Sequence, residues 1–154
     1  MLAAPVWAAA GGAPQPPPQD PPVDQRLAIV RNLFAAYHSP LQDHAQAFLT
    51  ASDKHRLDWR LLPSLVILET GGRHYNYNNI FGWGNGESRF PSVANAIEVV
   101  AKYLSTGAPY RGKSFEGKMR AYNPSRSDYG ALVAKMMAHI AAAPASPAVA
   151  VGPN

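Results

Sequence analysis

Apolar residues recur at helical spacing through most of the middle of the chain, and the pattern breaks at one long segment. Leu27, Val30, Leu33, Phe34 and Tyr37 share one helical face over about 25–37, with Asp24 placed to cap it. Ser39-Pro40 restarts the chain, Ser39 as a cap and Pro40 at the first helical position, where a missing N–H costs nothing. The second helix then runs to about residue 54, with Leu41, Ala45, Phe48 and Leu49 inward. A third helix is predicted over about 59–70, capped by Asp58 and ended by Gly71-Gly72, since glycine takes the left-handed conformation at low cost. Its Pro63 lies near the first turn, where proline does little damage. Ser92 caps a fourth helix over 93–104, with Ala96, Ile97, Val100 and Leu104 on one face. A short helix over about 115–122 precedes a last one, capped by Ser127 or Asp128 and burying Leu132, Met136 and Ile140. Between the third and fourth helices, residues 73–91 show no helical period. They read as a loop with a short β-hairpin through 81–90, turning at Asn85-Gly86. The pattern predicts a mainly α single domain of five to six helices beside a polar, aromatic-rich loop.

Composition narrows the folded unit. Of the 15 prolines, Pro14, Pro16, Pro17, Pro18, Pro21 and Pro22 crowd one stretch, and Pro144, Pro147 and Pro153 crowd the end. Residues 1–22 therefore read as a signal remnant and Pro-rich linker, 23–143 as the domain, and 144–154 as a tail. The start has a short apolar run and then small residues suited to cleavage after Ala8 or Ala10, without a basic leading segment. Export to the cell envelope is the expectation, against an Ala-rich tail as the alternative. No apolar run approaches the roughly 18 residues of a membrane span. The absence of cysteine excludes disulfides, thiolate metal sites and a thiol nucleophile.

The net charge is +4, from 14 basic against 10 acidic residues. Such a surface favours an anionic polymer, and both nucleic acid and a bacterial wall qualify. The basic residues form no run of the kind a nucleic-acid arm needs, so nucleic acid is not an expected partner. His38, His44, His55, His74 and His139 show no i, i+4 pair and no His-Glu-x-x-His, which removes the metalloprotease reading. No Gly-rich phosphate loop follows a strand. Neither a metal nor an organic cofactor is expected, and the chain reads as a monomer.

Glu69 is the residue with chemistry to explain. It continues the series Leu62, Leu65, Val66 at i, i+3, i+4, i+7, on the core-facing side of the third helix. A carboxyl among apolar neighbours at a helix C-terminus is favoured in its protonated form. A protonated carboxylic acid is what a glycosidase uses to protonate a leaving oxygen. The alternative is a solvated Glu, or one bonded to a nearby backbone N–H. The next segment adds Tyr75, Tyr77, Phe81, Trp83 and Phe90 among Asn76, Asn78, Asn79 and Asn85. Aromatic faces cover the apolar faces of pyranose rings, and amides bond hydroxyl and acetamido groups. Phe81 reads more simply as a core plug; Trp83, Tyr75 and Tyr77 fit either role.

An ordered set of motifs carries a resemblance. It comprises Ser39-Pro-Leu, Leu57-Asp-Trp-Arg-Leu-Leu-Pro-Ser-Leu-Val-Ile-Leu-Glu-Thr-Gly-Gly, Asn78-Asn-Ile-Phe-Gly-Trp-Gly, Phe90-Pro-Ser with Ala96-Ile-Glu, Tyr122-Asn-Pro and Asp128-Tyr-Gly. Over about 39–140 the chain resembles the glucosaminidase-like domains of the lysozyme-like superfamily. These include peptidoglycan hydrolases of the mannosyl-glycoprotein endo-β-N-acetylglucosaminidase type and, more distantly, lytic transglycosylases. The resemblance implies a lysozyme-like fold, with Glu69 as catalytic acid, Asn79 to Gly82 bordering the cleft and Tyr122 near the acid. The implied substrate is the β-1,4 glycan strand of peptidoglycan. Expected sugar contacts are Tyr75, Tyr77, Asn79, Phe81, Trp83 and Asn123.

A second carboxylate is needed by many glycosidases, as base or as nucleophile. Glu87, in the polar loop, is the best candidate. Glu98 falls in a predicted helix, and Asp58 and Asp128 read as caps. Relatives can use the substrate's own acetamido group instead. Glucosaminidase, muramidase and lytic transglycosylase therefore stay open, as does a non-catalytic glycan-binding or assembly module on the same fold.

Overall fold

The computed structural model describes residues 22–145. The expected export signal, most of the Pro-rich linker and most of the tail lie outside the described residues. Among those described, six helices follow in order: α1 Val23–Ala36, α2 Ala45–Lys54, α3 Leu61–Thr70, α4 Val93–Thr106, α5 Phe115–Tyr122 and α6 Tyr129–Ala141. A 3-10 turn, Pro40–His44, leads into α2, so the predicted second helix is α-helical only in its later part. The protein is mainly helical, as its periodicity predicts.

The core is built around α3. Leu61 through Ile67 are all buried, so this helix is enclosed on every side rather than on one face. It packs on α2 and α6, while α4 covers α2 and α5 covers α6. Phe34, Phe48 and Phe81 form a column through the interior, with ring centroids 5.1 and 6.5 Å apart. Truncating such a ring typically costs about 3–5 kcal/mol. Two polar ties cross the surface. The Arg26 guanidinium donates to both carboxylate oxygens of Asp53 at 2.9 and 3.1 Å. Glu98 Oε1 accepts from Lys54 Nζ at 2.5 Å and lies 2.9 Å from His55 Nε2, joining α4 to the end of α2.

The turn after α3 is fixed from the far side of the sequence. Gly71 closes the helix in the left-handed conformation, φ +61°, with its N–H on the Ile67 carbonyl. Ser39 Oγ accepts from the Leu41 N–H at 3.1 Å and donates to the Gly72 carbonyl at 2.6 Å. Gly72 has φ +69°, and a Cβ there would stand 2.6 Å from Ser39 Oγ, so both conformation and space require glycine. Thr70 Oγ1, 2.9 Å from the Ile80 carbonyl, ties the following loop back to the helix.

Several local expectations change. The predicted hairpin over 81–90 is absent; the segment is a series of turns. Gly82, Gly84, Asn85 and Gly86 all have positive φ, from 56° to 82°, and so many left-handed residues cannot sustain a ladder. The Asn78 amide instead donates to the Phe90 carbonyl, closing the loop at its base. Ser92 caps α4 as predicted, accepting from the Asn95 N–H at 3.1 Å. Asp58 does not cap α3. Its carboxylate binds the backbone N–H and guanidinium of Arg60, the residue that stands at the cap position, and the helix begins at Leu61. Helix α1 begins at Val23, so Asp24 lies inside it. Asp128 pairs with Arg126 and makes no side-chain cap bond to α6. The inward face of α6 is Tyr129, Val133 and Ile140, and Leu132 and Met136 are only half-buried. No helix of the described residues is long and apolar enough to cross a membrane.

Candidate active site

Glu69 sits where α3 leaves the core. Ile67 is buried, Leu68 half-buried and Glu69 exposed. The expected burial of this carboxyl is therefore not found: Leu68 and Glu69 lie on an open side of the last turn, while Thr70 beside them is buried again. The carboxyl faces a cleft of about 490 Å³, lined also by Phe81, Gly82, Trp83, Gly84, Asn85, Tyr110 and Tyr122 to Ser125. Glu69 is the one carboxylate among these lining residues.

Two tyrosines hold the floor. Tyr129, at the head of α6 and 3% exposed, donates its hydroxyl proton to Glu69 Oε1. Tyr122, at the end of α5, lies parallel to it at 5.7 Å and donates to the Phe81 carbonyl at 3.1 Å. Burial pushes the Tyr129 phenol far up, and its hydrogen bond to Glu69 pushes the same way. Burial does the same to Tyr122, with the Glu69 charge adding to it. Both hydroxyls remain donors at any physiological pH. With Oε1 occupied by Tyr129, Oε2 is the oxygen nearer Gly82: a Cβ on that glycine would lie 3.7 Å away. Gly82 has φ +61°, a conformation glycine adopts without strain.

The wall opposite is aromatic. Trp83 meets Tyr122 edge-on at 5.6 Å and Tyr110 at 6.5 Å, so Tyr129, Tyr122, Trp83 and Tyr110 form a continuous run of rings. Trp83 is set by Asn79, whose side-chain oxygen accepts from the Trp83 N–H at 2.8 Å and whose amide donates to its carbonyl at 2.9 Å.

Of the residues singled out in the sequence, Glu69, Tyr122, Phe81, Trp83 and Asn123 line this cleft. Asn79 does not; it is 3% exposed and its amide is spent on Trp83. Tyr77 is also outside the cleft, exposed and stacked under the Arg89 guanidinium at 3.7 Å. Tyr75 and Glu87 are likewise not among the lining residues, and Glu87 is exposed. Sequence reasoning missed Tyr129, Tyr110 and Ser125. Tyr129 leads the series 129, 133, 140, and a tyrosine on a buried face needs a partner for its hydroxyl, which is a usable signal. Tyr110 and Ser125 lie in turns with no periodicity to mark them.

No family model, curated protein or solved structure matches the chain.

Proposed function

We propose that this protein is a peptidoglycan hydrolase of lysozyme-like fold, acting in the cell envelope and cutting the β-1,4 glycan strand, with N-acetylglucosaminidase cleavage as its reaction. The observation that carries the reading is a lone carboxyl presented to an aromatic- and amide-lined cleft, with one oxygen fixed by a buried tyrosine. Trp83 and Tyr122 offer ring surfaces to pyranose faces, with the buried Tyr110 backing Trp83, and Asn85, Asn123 and Ser125 offer groups to hydroxyl and acetamido substituents. Tyr129 holds Glu69 in place, and the proton on Oε2 passes to the glycosidic oxygen as the C–O bond breaks. The ordered motifs from Ser39 to Asp128 support the same assignment.

Positioned proton donation contributes about 10²–10⁴ in rate. Glu69→Gln is therefore expected to keep the fold and the affinity for sacculi while losing lysis by at least about 10²-fold. A zymogram on purified peptidoglycan, with sedimentation of protein on sacculi, reads both. Binding without clearing by the unaltered protein would show a glycan-binding module instead of an enzyme.

A second reading follows from the single carboxylate. With no acidic partner lining the cleft, the positive charge developing at the sugar is met by the substrate itself. Attack by the acetamido oxygen gives an oxazoline, which water opens at the anomeric carbon, its proton returning to the Glu69 carboxylate. Attack by the sugar's own 6-hydroxyl, its proton likewise passing to that carboxylate, gives lytic transglycosylation. Mass spectrometry of the products separates them: a reducing end marks hydrolysis and a 1,6-anhydro end marks the transglycosylase.

A further inference from the structure

Exposed apolar side chains carry information where they cluster. Among the described residues three large ones are exposed: Tyr77 at 54%, Val99 at 42% and Tyr103 at 43%. Tyr77 is covered on one face by Arg89. Val99 and Tyr103 stand four residues apart on α4 and so adjoin on its outer side. The core-facing residues of α4 are Val93, Ala96, Ile97, Val100, Ala101 and Leu104, so packing asks for neither. The Tyr103 ring meets Trp83 edge-on at 5.6 Å and Tyr110 at 5.6 Å. Trp83 and Tyr110 line the cleft, whereas Tyr103 and Val99 lie beyond it. The run of rings that begins beside Glu69 thus continues past the end of the cleft onto α4.

We propose that Tyr103, with Val99 one turn before it, is an outlying subsite for a further N-acetylhexosamine ring of the same glycan strand. The inference rests on the glycan-cleaving reading of the cleft and adds a dependence on chain length to it. The chemistry fits a sugar. The exposed ring offers an apolar face, and its hydroxyl makes no hydrogen bond among the described residues, leaving it for a sugar hydroxyl. Val99 extends the apolar floor without a charge that would need pairing. A strand that reaches Tyr103 gains one stacking contact that a shorter strand cannot make. That contact corresponds to about 2- to 12-fold in affinity.

The test uses Glu69→Gln protein, so that ligands survive the measurement. Calorimetry compares peptide-free peptidoglycan strands of two lengths, a tetrasaccharide and an octasaccharide. The octasaccharide is expected to bind about 2- to 12-fold more tightly. Adding Tyr103→Ala is expected to erase that advantage and leave the tetrasaccharide affinity unchanged, which also reports that the cleft is folded. Tyr103→Phe keeps the stacking face and most of the advantage, and Val99→Ser loses part of it. If Tyr103→Ala binds the octasaccharide as tightly as its parent, the subsite is overturned and the cleft reading stands. If neither strand binds the Glu69→Gln protein, the cleft reading fails and takes the subsite with it. If the parent is a dimer that Tyr103→Ala dissociates, the patch is a self-association surface and the subsite is overturned.

Discussion

At the scale of single residues, the arrangement turns on which side chains reach the Glu69 carboxyl. Tyr129 is the direct contact, so removing only its hydroxyl isolates that bond. As the proton leaves Oε2 the carboxyl becomes charged, and a hydrogen bond to a charged group is worth about 1.5–3 kcal/mol. Tyr129→Phe is accordingly expected to lower turnover of sacculi by about 10- to 100-fold while leaving circular dichroism unchanged. Glu87→Gln is the contrasting variant. Its side chain is exposed and outside the cleft, so near-normal turnover is expected, and a loss of 100-fold would return it to the role of second carboxylate. The residues legible in the sequence were those in a recurrent pattern. Glu69 was legible because it extends an apolar series. Asn79 is expected in the cleft but lies under it, because an amide looks the same in sequence whether it faces a groove or clips a backbone. Tyr129 was hidden because α6 is turned by one residue from the face that Leu132 and Met136 imply.

At the scale of elements, helices were readable and the loop was not. Periodicity marks a buried stripe wherever one exists, and even α3, buried all round, shows the series Leu62, Leu65, Val66 and the Gly71-Gly72 end that predict it. The loop over 71–92 depends on φ signs and on side chains bonding backbone groups, and neither leaves a period. Three of its backbone contacts come from Asn78, Asn79 and Thr70, not from a strand partner. The Ser39–Gly72 contact shows how such a junction is tested. Gly72→Ala combines a left-handed backbone with a Cβ 2.6 Å from Ser39 Oγ. It is expected to destabilise the fold by about 1–3 kcal/mol, read by urea denaturation. Gly86→Ala, with the same sign of φ and open space around it, serves as the control for backbone strain alone.

At the scale of the whole molecule, helices distant in sequence are tied by charge as well as by the core. Glu98 on α4 receives Lys54 and His55 from the end of α2. The hydrogen bond from Lys54 holds its carboxyl below the ordinary glutamate range, and that from His55 adds to it. A carboxyl depressed in the folded state stabilises the protein above its unfolded pKa, and that stability is lost as pH falls through the folded value. Thermal melts from neutral pH downwards are expected to show Glu98→Gln with a shallower loss of stability on the acid side than the parent. Equal slopes would show that the pair contributes nothing measurable, as many exposed pairs do.

The Glu69 side chain is open to solvent, but its backbone belongs to the helix around which the core is built, so its Cα can shift only if the interior shifts with it. The far wall is made differently, from short turns at 83–85 and 123–125. Change can therefore accumulate on that side at small structural cost. On the proposed function, descendants of this chain would be free to alter the ligand groups they meet along that wall while the carboxyl at position 69 keeps its place.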